Sequence, residues 1–98
     1  MHVITRKRLN DFASKHPECR SALAHWYHVM KKRQFSSLVE LKGAFAAADQ
    51  VGKFTVFNIG GNIVRLIAAI HYNRRKVYIR HIVTHAEYDR GNWKDESC

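Results

Sequence analysis

The chain has 98 residues, 17 of them lysine or arginine against 8 acidic, for a net charge of +9 with histidine neutral; that length holds one domain with a single core. Its composition, 46% hydrophobic with one proline and five glycines, together with the lack of any polar low-complexity tract or internal repeat, argues against disorder. No apolar run follows Arg6, Lys7 and Arg8, so neither a signal peptide nor a membrane span is expected, and the cytoplasm is the expected location. Cys19 and Cys98 have neither the arrangement of a disulfide framework nor the paired spacing of a zinc site, and both are expected to be reduced and incidental.

In chain order, His2 to Ile4 suits a short strand, and Thr5 can cap a helix whose Leu9, Phe12 and Ala13 share a face. Pro17 disfavours helix at His16 but suits the first position of a new one. That second helix aligns Cys19, Ala22, Leu23, Trp26, Tyr27 and Met30, and Lys31, Lys32 and Arg33 close its C-terminal end favourably with the dipole. An antiparallel helical hairpin is the simplest arrangement. His25 and His28 lie beside Trp26 without a third ligand, which makes a poor metal site. Ser37 and Glu40 form a capping box for a short helix with Leu38, Leu41 and Phe45 turned inward.

After Asp49 the pattern changes to β-branched and aromatic runs, Phe54 to Phe57, Ile63 to Tyr72 and Val77 to Val83. Gly60-Gly61 and Asn73-Arg74-Arg75 separate them. The expectation is a three-stranded antiparallel meander joined at its side by the N-terminal strand. An even loop after Tyr72 would place Arg65, Ile67, Ala69 and His71 on one face with Tyr78, Arg80, Ile82 and Thr84. Val64, Leu66, Ala68 and Ile70 would then share the apolar face with Val77, Ile79, His81 and Val83 and receive the helices. Two arginines would stand in mid-sheet on the uncovered face, with Asn58 beside them.

Charge distribution points to the same face. Gln50 to Ala86 holds no acidic residue, yet contains Lys53, Arg65, Arg74, Arg75, Lys76 and Arg80. Solvated surfaces normally mix signs, so this segment suits a polyanion, held by phosphate contacts and counterion release.

The run Val56-Phe57-Asn58-Ile59-Gly60-Gly61-Asn62, then Arg65-Leu66, Tyr78-Ile79-Arg80 and Thr84-His85-Ala86-Glu87-Tyr88-Asp89, resembles the HigB family of RelE-like toxins over about half the chain. The resemblance implies an α+β RelE-like fold over residues 1–98 with a flexible last few residues, the helical hairpin on one face of an antiparallel sheet and RNA on the other. It implies a toxin that cleaves translated mRNA in the ribosomal A site by attack of a ribose 2′-hydroxyl, with no metal or small-molecule cofactor. A cognate antitoxin and the ribosome would be its partners, with no membrane.

That chemistry needs a base, cations for the phosphorane and an acid for the leaving oxygen. Arg65 is the first candidate for the phosphorane, since a guanidinium fork matches two phosphate oxygens, and Arg80 is the second. His85 is the candidate for proton transfer because imidazole titrates near neutrality. Tyr88 suits base stacking or proton donation, and Asp89 suits orienting a histidine or lysine. Lys53, Asn58, His71, Tyr78, Asp89 and Lys94 complete the candidate RNA contacts. Each has a plainer alternative: a surface arginine, a histidine capping a turn, a packing tyrosine, a capping aspartate, hairpin chemistry at Asn58 and solvated lysines. A non-catalytic nucleic-acid-binding module using the same basic face is the competing function, and a purely structural subunit is a third.

Overall fold

A computed structural model describes residues 1–4, 6–60 and 64–90. The chain runs β1 (His2–Ile4), α1 (Arg6–Lys15), a 3-10 turn (Pro17–Cys19), α2 (Arg20–Lys32), α3 (Leu38–Ala44), β2 (Asp49–Val51), β3 (Phe54–Ile59), β4 (Val64–His71), β5 (Lys76–Thr84) and α4 (His85–Arg90). This is the expected α+β architecture. The Thr5 cap, Gly61, Asn62, the first residue of the expected Ile63 strand, Lys94, Cys98 and the expected tail lie outside the described residues.

Proline shapes the start of the second helix. Pro17 opens the 3-10 turn, and its carbonyl accepts the Arg20 N–H as the chain passes into α2. Leu23, Trp26 and Met30 then fall on one stripe and are buried, while Tyr27 lies at its border under the Arg6 guanidinium, 4.4 Å from the ring centroid. Leu9 of α1 and Leu41 of α3 complete the helical side of the core. Ser37 caps α3 as expected: its Oγ accepts from Glu40 N at 3.4 Å, and Glu40 Oε2 accepts in return from Ser36 N at 2.7 Å.

The sheet has five strands in the order β1-β5-β4-β3-β2, not the meander plus one. The added strand β2 pairs with β3 through the turn at Gly52-Lys53, where Gly52 takes φ +59°. β1 joins the opposite edge, parallel to β5. Leu66, Ala68, Val77 and Ile79 face the helices with Phe57, whose ring meets Trp26 edge-on at 5.4 Å. Each large side chain so buried contributes on the order of 1.5–3 kcal/mol.

The expected register holds over only half of the β4–β5 ladder. Near the turn, His71 pairs with Lys76, Ala69 with Tyr78 and Ala68 with Ile79; beyond an irregularity Ile67 pairs with His81 and Arg65 with Val83. Arg80 is the extra residue of a β-bulge, and one inserted residue reverses the alternation of all that follows. Ile82 therefore packs with the helical core, and Val83 joins the outward face, the reverse of the expectation. His81, expected on the core side, is opposite Ile67 of the outward cluster. That face is not bare either: Phe54, Val56 and Ile67 form a second buried cluster against which Val51, Ala69, Val83 and Tyr88 pack.

Candidate active site

At the end of β5 the chain turns directly into α4, which the sequence reading did not anticipate. A complete capping box drives the turn: Glu87 N donates to Thr84 Oγ1 at 3.3 Å, and Glu87 Oε1 accepts from Thr84 N at 3.2 Å and from Thr84 Oγ1 at 3.1 Å. Positions 85, 88 and 89 share one helical face. His85, Tyr88 and Asp89 are thereby gathered over the outward face of the sheet.

Beneath them is Arg65. Far from standing on an open surface, it is 9% exposed. Its Nη2 lies 3.1 Å from His85 Nδ1, and its guanidinium carbon is 5.5 Å from the centroid of the Tyr88 ring. On the far side of the imidazole, His85 Nε2 is 3.4 Å from Asp89 Oδ2. A guanidinium can only donate, so Nδ1 must offer its lone pair and the ring proton belongs on Nε2, directed at the carboxylate. Arg65, His85 and Asp89 thus form one polar chain with a defined tautomer. Asn58 is directly across the ladder from Arg65 and so beside it on the outward face, as expected.

Among the described residues, the buried Arg65 Nη1 has no hydrogen-bond partner. An unsatisfied buried donor costs about 1–3 kcal/mol, more when charged, and persists where an external acceptor completes it. The site also lies where the sequence changes sign, since Glu87 and Asp89 are the first acids after the acid-free stretch.

The remaining candidates gather elsewhere. Lys53, His71, Tyr78 and Arg80 line a separate cleft of about 430 Å³ toward the β4–β5 turn. The structure therefore does not bring Arg80 into the group formed by Arg65, His85, Tyr88 and Asp89. Ile79 and His81, the neighbours of Arg80, pair with Ala68 and Ile67. The bulge thus stands two to three positions from Arg65 along β4, roughly 7–10 Å. Among the described residues, no three His, Cys, Asp or Glu side chains come together as a metal would require. Cys19 is buried in the core, where burial and, secondarily, the Glu18 charge push its thiol up from the ordinary 9.0. No helix among the described residues is long and apolar enough to cross a membrane.

Known proteins resemble the chain over most of its length. Residues 19–91 match the HigB_toxin family model, the RelE-like toxic component of a toxin-antitoxin system. The chain is 38% identical over 92 residues to the mRNA interferase toxin HigB of Escherichia coli K12, covering 91% of this chain and 88% of that one. Identity and coverage are the same for the mRNA interferase HigB of Shigella flexneri. An mRNA interferase HigB of Escherichia coli O6:H1 is 36% identical over 93 residues, covering 92% of this chain and 90% of its own.

Proposed function

Because the chain belongs to the HigB family of RelE-like toxins, we propose that it is an mRNA endoribonuclease that cuts message on the ribosome without a metal and is held silent by a cognate antitoxin. The observation that carries this reading is the buried Arg65, tied through Nη2 to His85 while Nη1 has no acceptor among the described residues. Scissile phosphate supplies that acceptor. Its non-bridging oxygens take the guanidinium fork, and the planar cation neutralises charge as the phosphorane forms.

Engagement of Arg65 by phosphate frees the Nδ1 lone pair of His85. We assign His85 the proton of the attacking 2′-hydroxyl, with Asp89 stabilising the resulting imidazolium through Nε2–H, the logic of an acid-oriented histidine base. The 2′-oxygen bonds to phosphorus, the bond to the 5′-oxygen breaks, and a 2′,3′-cyclic phosphate remains. Tyr88 is assigned the proton for the departing 5′-oxygen. Asn58, opposite Arg65, is assigned contact with the neighbouring nucleotide. The acid-free segment supplies long-range attraction for both message and ribosome.

The test is primer extension on message translated in a purified system. Wild type should cut, Arg65→Ala and His85→Ala should not, and a 2′-deoxy substitution at the cut position should block the reaction. The same RNA without ribosomes should stay whole. Intact translated message beside folded wild-type protein would sink the reading. Salt-sensitive RNA binding without cuts would instead identify a binding module.

A further inference from the structure

Within the run Thr84 to Asp89, Glu87 is charged yet takes no part in the chemistry assigned to Arg65, His85, Tyr88 and Asp89. It is exposed, and among the described residues its carboxylate bonds only to Thr84: Oε1 accepts from Thr84 N at 3.2 Å and from Thr84 Oγ1 at 3.1 Å. With about 3.6 residues per turn, position 87 falls on the side of α4 away from 85, 88 and 89. Glu87 is therefore turned away from Arg65 and from any phosphate that Arg65 would hold.

α4 needs an anchor at its start. Its six residues are too few for a helix to stand on its own hydrogen bonds. Tyr88 packs on the outward cluster of Phe54, Val56 and Ile67 and fixes the middle of the helix, but that contact leaves the first turn free to fray. His85 is the first residue of that turn and is itself exposed. Its 3.1 Å approach to Arg65 Nη2 and its 3.4 Å approach to Asp89 Oδ2 both require the turn to stay closed. Glu87 closes it by taking the Thr84 N–H while its own N–H goes to Thr84 Oγ1, a reciprocal pair.

We propose that Glu87 is a positioning residue for His85: its carboxylate locks the first turn of α4 through Thr84 and so holds the imidazole between Arg65 and Asp89. The acceptor oxygen matters and the negative charge does not, since glutamine fills the same place in a capping box. The effect of Glu87 on rate rests on the ribonuclease reading; its effect on the imidazole does not.

Variants of the full chain separate the hydrogen bond from the charge. Glu87→Ala should lower kcat on translated message roughly tenfold with little change in KM. Glu87→Gln, which keeps an acceptor oxygen but drops the charge, should restore most of the wild-type rate. Thr84→Ala/Glu87→Ala should lose no more than Glu87→Ala alone, because both side chains act through one contact. Nitrogen–proton correlation spectra of the imidazole give a readout independent of cleavage, with the His85 signals assigned by their loss in His85→Ala. At mildly alkaline pH, where imidazole is neutral, wild type and Glu87→Gln should carry the His85 proton on Nε2. Glu87→Ala should instead show the averaged signals of a histidine in water. A cap with a structural role only would lower the urea midpoint and leave these signals and the kcat of the folded protein alone. Equal kcat for wild type and Glu87→Ala, equal losses in Glu87→Ala and Glu87→Gln, or unmoved His85 signals would overturn the proposal. If wild type leaves translated message whole while the His85 signals move as stated, the ribonuclease reading falls and the positioning of His85 stands.

Discussion

The two faces of the sheet are built from the same strands and nearly the same residue types, yet they do different work. On the helical face, Leu66, Ala68, Val77 and Ile79 merge with Trp26 and Met30 into one continuous core. The outward face has a patch of three buried residues, Phe54, Val56 and Ile67, with Arg65 and α4 at one end and the basic cleft at the other. Adjacent positions on one strand therefore answer to different demands: Leu66 holds the fold, and Arg65 is the residue we propose for the chemistry.

Replacing those neighbours one at a time is the sharpest way to break this contrast. Leu66→Ala should cost about 2–5 kcal/mol in urea unfolding, since Leu66 is 0% exposed and its loss leaves a cavity. Arg65→Ala should leave most of that stability and lower cleavage about 100- to 1,000-fold, read by primer extension. If Arg65→Ala unfolds the protein, the outward face is structural after all.

His85→Ala should lower the cleavage rate about 100-fold or more, and Asp89→Asn about tenfold. The Asp89 variant should reduce turnover with little change in the substrate concentration needed. Smaller effects follow from the two capping boxes. Thr84→Ala and Ser37→Ala should each cost about 1 kcal/mol of helix stability. Only Thr84→Ala should slow cleavage, because α4 carries His85 and α3 carries core.

The smallest effect belongs to the Cys19 thiol on the helical face. Its pKa is raised on folding, so its contribution to stability is intact below 9.0 and is lost as pH rises through the folded value. Urea unfolding of wild type should therefore show a modest loss as the buffer is raised above pH 9.0, a loss that Cys19→Ala removes. Near neutral pH, Cys19 should also resist alkylation in the native protein until it is unfolded.

Much of this organisation is legible in the residues. Leu23, Trp26 and Met30 announce a helix by their spacing, and the β-branched runs announce β3, β4 and β5. Arg65 and His85 stand out singly, but their pairing does not. It depends on the bulge at Arg80 and on α4, and a bulge is decided by which backbone groups pair across strands, about which one strand's composition says little. At α4 the signal is present in the residues, since Thr84-x-x-Glu87 repeats the capping pattern of Ser37-x-x-Glu40. β2 escaped because Asp49-Gln50-Val51 has little strand character, and its evidence is the Gly52-Lys53 turn.

The parallel pairing of β1 with β5 brings the first described strand against the last. Contacts so distant in sequence form late, after the entropy of closing most of the chain has been overcome. During synthesis the helices can form early, but β1 has no neighbour until β5 has emerged, and Arg65 has no His85 until the chain has grown 20 residues past it. A growing chain short of α4 thus carries no assembled form of the site we propose, and its activity should appear only once that helix has been made.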